Sequence, residues 1–184
     1  MWRRLLTSPH SALFISLLAV LLALPTLSSG LIGDDFLFRE RITGLSNMPH
    51  PGAFFGLYTF ADGKEAHIQA MKDAGIFQWW AADHALMSFW RPLSELSHWV
   101  DYQLWPDSPA LMHVHSLLWY GLLVWLLSRF YRQLDPATTR PGLAALIFAD
   151  SPMHLFTVIW LAARNQLIAG CLIVLILMSF HRWR

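Results

Sequence analysis

One stretch near the start of the chain, Ser11 to Ile32, contains no charged side chain. A helix needs about 20 apolar residues to cross the hydrocarbon core of a bilayer, and this stretch is long enough to do so. Further apolar runs begin at Pro109, Gly142 and Leu167. The chain is 55% hydrophobic and 14% charged, whereas about a quarter of the residues of an average soluble domain are charged. The sequence therefore predicts an all-α integral membrane protein with about four transmembrane helices.

These runs and the polar segments between them divide the chain. Four parts are predicted to lie in the membrane, namely 11–32, 109–131, 141–163 and 164–181. Four are predicted to lie outside it, namely 1–10, 33–108, 132–140 and 182–184. Asp150, Ser151 and Pro152 interrupt the third membrane segment. That segment is either one crossing or a short span followed by a helix at the outer surface.

Arginines predict the orientation, because cytoplasmic loops of membrane proteins are enriched in Lys and Arg. If the chain crosses four times, seven arginines fall on one side: Arg3, Arg4, Arg129, Arg132, Arg140, Arg182 and Arg184. The long segment from Gly33 to Ser108 then lies on the opposite side, and its ten acidic and five basic residues give it a net charge of −5. We expect both termini in the cytoplasm. The first span also matches a signal peptide, but it has no A-x-A cleavage site, so an uncleaved anchor is predicted.

The outer loop combines several kinds of segment. Ser46 to Gly63 is rich in Gly, Pro and aromatic residues, which predicts irregular chain. Ala66 to Ala74 predicts a short helix stopped by Gly75. Further on, apolar residues recur at helical spacing, at Phe89, Leu93, Leu96, Val100 and Leu104. Tryptophans surround this stripe, and the pattern predicts amphipathic helices lying in the membrane interface.

Two adjacent carboxylates, Asp34 and Asp35, follow the first apolar run. The simpler interpretation is that they end the first helix at the interface, since charges near span ends are common. The functional interpretation is that one aspartate accepts a proton from an attacking hydroxyl, or that the pair holds a divalent cation against a phosphate. The spacing does not choose between these roles.

Other candidate residues carry weaker signals. His113 and His115 point about 200° apart on a helix, so they cannot chelate one metal. Arg164 lies between two apolar segments, where an arginine needs water, a phosphate or an acidic partner such as Asp150. The single cysteine, Cys171, excludes an intrachain disulfide, and the net charge of +1 gives no case for nucleic-acid binding.

The order of these features resembles a known family. An anchor helix and an acidic pair are followed by FWRPLSELSHWVDYQLWP, by a span opening ALMHVHSLLWY, and by SPMHLFTVIWLAARNQLIAG. This resembles the N-terminal part of bacterial membrane-embedded GT-C type glycosyltransferases, in particular the protein O-mannosyltransferase-like branch. That branch has a similar RPL…LDY.LW element and a motif of the form HP.H.E..AW...R..LL. Five residues match the latter motif in register: Pro152, His154, Trp160, Arg164 and Leu167.

The resemblance implies a function on the outer face of the bacterial inner membrane. It implies a polyprenyl-phosphate-linked sugar as donor, with Asp34 or Asp35 as catalytic base or donor-site ligand. The sequence identifies no cofactor, and a divalent cation, if one binds, is expected at that aspartate pair. It places Arg164 and His154 at the substrate, Arg164 near the donor phosphate. Arg91 and Asp101 are also expected among the substrate-binding residues, where they brace the loop helix.

Three positions depart from the motif: Ser151 stands at its first His, Phe156 at its Glu, and Gln166 where an acidic residue is frequent. Enzymes of this type also use many more spans. We therefore expect either a fragment completed by its C-terminal part or a short relative acting with a partner subunit. A non-catalytic scaffold or assembly subunit, whose outer loop docks a partner, is the alternative.

Overall fold

The computed structural model describes residues 6, 8, 10–45 and 56–184. It is mostly helical, which agrees with the predicted fold class. The chain forms two compact units, a helical unit within Met1–Gly33 and Asp107–Arg184, and an inserted unit within Asp34–Pro106. Arg3, Arg4 and residues 46–55 of the stretch predicted as irregular lie outside the described residues.

The helices and strands are α1 (Ser11–Ala23), α2 (Asp34–Thr43), β1 (Thr59–Asp62), α3 (Glu65–Asp73), β2 (Leu86–Ser88), α4 (Pro92–Leu104), α5 (Pro109–Leu134), α6 (Arg140–Ala149), α7 (Pro152–Ile159) and α8 (Arg164–Trp183). A 3₁₀ helix, Leu24–Ser28, continues α1, and a second, Leu161–Ala163, leads into α8. The start at Pro109 agrees with its predicted position, because the missing N–H of proline does no harm in a first turn.

Three of these helical segments are long and apolar enough to cross a membrane: Ser11–Ser28, Pro109–Leu134 and Leu161–Trp183. A fourth is a bent pair, in which α6 and α7 meet at an angle of 48°. The bend lies at Asp150 and Ser151, where Pro152 removes a backbone donor and prevents a straight helix. The interruption predicted from these three residues is therefore confirmed.

Helix α5 lies at the centre of the helical unit and packs against α1, α6 and α8. The contact with α1 is close, because the Ser16 hydroxyl donates a 2.7 Å hydrogen bond to the carbonyl of Gly121. A Cβ atom at Gly121 would lie only 2.9 Å from Cγ2 of Val20. Small residues thus bring the two backbones together, as is common between membrane helices.

Helix α7 runs alongside the first half of α5. At the bend, the Tyr120 hydroxyl donates a 2.7 Å hydrogen bond to the carbonyl of Ala149, which the broken helix leaves without an intrahelical partner. Near the other end of α7, Nδ1 of His113 lies 3.3 Å from the carbonyl oxygen of Val158. From Tyr120 to His113, α7 therefore follows α5 back towards its N-terminus.

The inserted unit contains a small sheet that the sequence did not predict. Strands β1 and β2 pair antiparallel, with Thr59 opposite Ser88 and Asp62 opposite Leu86. The prediction of irregular chain up to Gly63 is therefore wrong for Thr59–Asp62. The strands are short and lack a clear alternation of apolar and polar residues, so the periodicity that marks a strand is missing. The short helix predicted before Gly75 is confirmed as α3.

Helix α4 has its polar face inside and its apolar face outside. The buried residues are Ser94, Glu95, Ser97, His98, Asp101 and Tyr102. The predicted apolar stripe is exposed, with Leu93 at 49%, Leu96 at 42% and Leu104 at 63% of its full accessible area. This is the reverse of an ordinary amphipathic helix in a soluble domain, whose apolar face packs on the core.

Asp34 and Asp35 do not end the first helix, contrary to the simpler prediction. The first helical segment ends at Ser28, and the two aspartates form the first turn of α2. Gly33, with φ of +56°, separates the segments. Carboxylates in a first turn are stabilised by the positive end of the helix dipole, so the same charges that disfavour a span favour a new helix start.

Candidate functional site

Arg164 is the most deeply buried charged group of the helical unit, with no solvent-accessible area. It begins α8, and its guanidinium points at the first turns of α5. Nε donates to the Ser116 hydroxyl over 3.0 Å, and Nη2 donates to the carbonyl of Met112 over 2.9 Å. These bonds hold the start of α8 against the start of α5.

His115 lies beside this guanidinium. Its Nδ1 is 3.4 Å from Nη1 of Arg164, and its Nε2 is 3.2 Å from Nε1 of Trp119. Both neighbouring nitrogens are donors, whereas a neutral imidazole has one acceptor nitrogen. His115 can therefore accept from one of them at a time, and the shorter distance favours Trp119, whose ring also stacks on the imidazole.

His113 has separate contacts from His115. Its Nε2 lies 2.8 Å from the carbonyl of Gly30 and 3.1 Å from the hydroxyl of Ser29. The imidazole thereby joins the end of the first helical segment to α5. As predicted, the two histidines do not converge on one point. Among the described residues, no group of three His, Cys, Asp or Glu side chains is arranged to hold a metal ion.

His154, predicted at the substrate, lies at the bend between α6 and α7. Its ring is half-buried, 4.0 Å from the ring of Phe148 and 6.2 Å from that of Tyr120, measured between centroids. Of the residues that contact Arg164, Ser116 lies one turn of α5 from Tyr120 and Met112 lies two turns from it. His154 and Arg164 therefore lie at different levels along α5.

The inserted unit contains the other four predicted site residues. Asp34 is partly exposed, whereas Asp35 is buried, with 2% of its area accessible. Asp34 lies close enough to Arg41, two turns along α2, for its negative charge to act on the guanidinium. Of the two aspartates, Asp34 is the one that a substrate can reach directly.

Arg91 and Asp101 lie at α4. The Arg91 guanidinium is 4.7 Å from the ring centroid of Tyr58 and 4.7 Å from that of Phe89, so it contacts two aromatic rings. Asp101 is fully buried. Cation–π contacts of this kind fix a guanidinium in place. The roles that the resemblance implies for Arg91 and Asp101 stay predictions.

Helices α2 and α4 meet through aromatic side chains. Phe38 packs edge-on against Tyr58 at 4.9 Å and against His98 at 5.2 Å, and the Tyr58 hydroxyl lies 3.3 Å from Nε2 of His98. Phe38 follows Asp35 by one turn, and Asp101 follows His98 by one turn. The structure therefore brings the helices that carry Asp35 and Asp101 together within the inserted unit.

Two buried charged residues, Arg41 and Glu95, form hydrogen bonds to the backbone of residues 56–58. No sequence pattern marks them as a pair. Nη1 of Arg41 donates to the carbonyl of Leu57 over 2.8 Å, and the Glu95 carboxylate accepts from the backbone N–H groups of Tyr58 and Leu57. Burial raises the pKa of Glu95, while those N–H groups act in the opposite direction. Burial lowers the pKa of Arg41, and Asp34 partly offsets this.

Asp34 and Asp35 belong to the inserted unit, and Arg164 and His154 belong to the helical unit. A pocket shared by these four residues stays a prediction. No protein-family model, curated protein sequence or solved structure matches this chain.

Proposed function

We propose that this chain is a multi-pass integral membrane protein that crosses the bilayer four times. The three long apolar helices support this proposal, as do the many large apolar side chains that they expose. In α8 these include Leu172, Ile173, Leu175, Ile176 and Leu177, each more than 40% accessible. A soluble protein rarely exposes so large an apolar surface, whereas lipid covers it at no cost.

The fourth proposed crossing is the bent pair of α6 and α7. Its ten and eight residues are about 15 Å and 12 Å long at 1.5 Å per residue. With the 48° bend they reach about 25 Å end to end, which is close to the thickness of the hydrocarbon core, about 30 Å. Because α7 follows α5 back towards Pro109, the pair runs the whole way across rather than returning. Arg164 then lies near the outer surface, as the sequence predicts.

The proposed orientation places residues 1–10, 135–139 and 184 in the cytoplasm of a bacterial cell and the inserted unit outside. Nη1 of Arg132 donates to the carbonyl of Ser8 over 2.6 Å, which supports a common side for the N-terminus and the end of α5. Arg129 and Arg140 belong to the same end. This arrangement satisfies the preference of arginines for the cytoplasmic side.

For the biochemical function, we propose the N-terminal module of a GT-C-like glycosyltransferase that uses a polyprenyl-phosphate-linked sugar. One observation carries the proposal. The partly exposed Asp34 begins a helix six residues after the first apolar segment ends at Ser28, close enough to a span end for its carboxylate to meet a lipid-linked phosphate and sugar. A carboxylate there can act as a general base, worth about 10²–10⁴-fold in rate.

In the proposed reaction, Asp34 accepts the proton of an acceptor hydroxyl. The oxygen forms a bond to the anomeric carbon of the sugar. The bond from that carbon to the phosphate oxygen breaks, and the lipid phosphate leaves with the electron pair. The resemblance, and not a distance in the structure, gives Arg164 the role of favouring the departing phosphate by its positive charge.

The test uses the full-length protein in its native membrane, supplied with a polyprenyl-phosphate-linked radiolabelled hexose. Asp34→Asn should lower sugar transfer by about 100-fold or more. Asp73→Asn is the matched control, an exposed carboxylate in the same unit, and should leave transfer unchanged. Full transfer by the double variant Asp34→Asn and Asp35→Asn would contradict the proposal.

A non-catalytic scaffold or assembly subunit is the second candidate, favoured by the exposed tryptophans of the inserted unit. Trp79 and Trp90 are each 83% accessible, and Trp80 is 67% accessible. Exposed aromatic residues are enriched where proteins dock. If the chain is such a scaffold, Asp34→Asn would leave partner binding intact. Trp79→Ala with Trp80→Ala would release a partner subunit that copurifies with the wild type.

A further inference from the structure

The helical unit has a groove of about 280 Å³ between α1 and α6. Its walls are almost entirely aliphatic, and one charged residue, Asp150, lies at its edge. The lining residues are Leu18, Ala19, Leu22, Leu146, Ile147, Ala149 and Asp150. None of these residues belongs to the glycosyltransferase-like motifs or to the proposed catalytic site.

Three independent positions place this groove near the middle of the helices. Leu18 to Leu22 lie in the middle of Ser11–Ser28. Tyr120, which bonds to Ala149, is close to the centre of the 26-residue α5. Ala149 ends the ten-residue α6, about 15 Å from its start at 1.5 Å per residue. In the four-crossing arrangement proposed above, on which this inference rests, with a bilayer core about 30 Å thick, Asp150 lies near the midplane.

The carboxylate of Asp150 is exposed in this groove. Among the described residues the carboxylate makes no hydrogen bond or ion pair, since the bond at this position comes from the backbone N–H to Leu146. A polar neighbour of the carboxylate is the Tyr120 hydroxyl, which carries no charge to compensate it. An ionisable side chain at membrane depth is costly without a partner, and such residues mark ligand or ion sites. The negative end of the α6 dipole adds to the local negative potential. The groove therefore selects for positive charge.

The rest of the lining decides which cation fits. Calcium and magnesium need about six oxygen ligands, and the groove offers one carboxylate among aliphatic walls. An ammonium group needs fewer oxygen ligands, because its N–H groups can donate hydrogen bonds to the two oxygens of one carboxylate. The aliphatic walls match a hydrocarbon chain attached to that ammonium group.

We propose that this groove binds a long-chain alkylammonium amphiphile that diffuses freely in the bilayer. Its ammonium group donates hydrogen bonds to the Asp150 carboxylate, and its chain lies along Leu18, Leu22 and Ile147. This inference does not depend on the proposed glycosyl transfer, because it uses no residue of that site.

The probe is a hexadecylamine that carries a photoactivatable diazirine in its chain, added to the full chain in phosphatidylcholine vesicles. The corresponding hexadecanol diazirine is the neutral control. We expect the amine to label residues 18–22 and 146–150. Asp150→Asn should lower amine labelling about tenfold, as expected for the loss of one charge-assisted contact, while labelling by the alcohol stays constant. Asp135→Asn, a carboxylate outside the groove, should change neither.

Competition on the wild-type protein needs no variant. Unlabelled dodecylamine should displace the amine probe, whereas dodecanol at the same concentration should not. The proposal is overturned if Asp150→Asn binds the amine as well as the wild type, or if dodecanol competes equally. Displacement by sodium chloride would assign the groove to an inorganic cation, and displacement by added phosphatidylethanolamine would assign it to a bilayer lipid. Either result would also overturn the proposal.

Discussion

The Nε atom of Arg164 donates a hydrogen bond to the hydroxyl of Ser116 over 3.0 Å, inside the helical unit. The same guanidinium bonds to the carbonyl of Met112. A charged side chain thus joins α5 to α8 near the start of both helices. Its burial makes Arg164 a structural residue of the bundle, whatever further role its charge has in the proposed reaction.

Arg164→Met should destabilise the protein by about 3 kcal/mol, because the bonded carbonyl and hydroxyl lose their donor while buried. Ser116→Ala should cost about 1 kcal/mol, since it removes one hydrogen bond. Thermal unfolding in detergent, followed by tryptophan fluorescence, measures both changes. Equal melting temperatures for Arg164→Met and wild type would show that these buried contacts do not stabilise the fold.

Gly121→Ala should also destabilise the protein, by about 1–3 kcal/mol, because the new Cβ would lie 2.9 Å from Val20. Ser16→Ala removes the bond across the same contact and should cost about 1 kcal/mol. Ser179→Ala is the matched control, since this exposed serine bonds only to the carbonyl of Leu175 in its own helix. Thermal unfolding should rank the three variants in that order. A Gly121→Ala protein as stable as the control would contradict the close packing of α1 on α5.

Glu95 gives the inserted unit a pH dependence. Burial raises the pKa of Glu95 above its ordinary value of 4.5, so the folded protein holds the proton to higher pH than the unfolded chain does. The resulting stabilisation is complete below that ordinary value and is lost as pH rises through the folded pKa. The Glu95→Gln variant has no carboxyl group to lose its proton at this position. Its melting temperature should therefore fall less than that of the wild type between pH 4 and pH 8.

Glu65→Gln serves as the control for this pH series. Glu65 is an exposed carboxylate on α3, so its substitution should leave the pH dependence as it is in the wild type. Parallel curves for Glu95→Gln and the wild type would show that Glu95 is not the titrating group.

The apolar stripe of α4 should lie in the membrane interface. Spin labels attached at Leu93→Cys and Leu96→Cys, in a Cys171→Ala background, should be accessible to dissolved oxygen and protected from a water-soluble nickel complex. A label at Gln69→Cys, on the exposed surface of α3, should show the opposite preference. Equal access of the nickel complex at all three positions would place the stripe in water.

Much of this fold follows from local sequence patterns. The apolar runs predict the long helices, Pro109 marks the start of α5, and the triplet Asp150–Pro152 marks the bend. These features are predictable because each depends only on residues that are adjacent in the sequence: the length and hydrophobicity of a run, or a proline without a backbone N–H. The stripe from Leu93 to Leu104 predicts a helix as well. The structure adds that the polar face of this helix is buried and the apolar stripe is exposed.

The remaining features depend on residues that are distant in sequence. Arg41 and Glu95 converge on Leu57 from either side of it, and no local pattern marks such a contact. The start of α2 at Asp34 was missed because adjacent carboxylates fit both the end of a span and a first helical turn. The depth of Arg164 in the bundle depends on Met112 and Ser116, about fifty residues earlier.

Labelling by a membrane-impermeant maleimide tests whether the chain crosses four times, with α6 and α7 as one broken span. Single cysteines are introduced as Gln69→Cys, Thr138→Cys and Trp183→Cys, in a Cys171→Ala background, in intact bacterial spheroplasts. We expect labelling of Gln69→Cys before permeabilisation, and of Thr138→Cys and Trp183→Cys only after it. Labelling of Trp183→Cys from outside, with Thr138→Cys protected, would mean that α6 and α7 turn back within the bilayer, and would rule out four crossings.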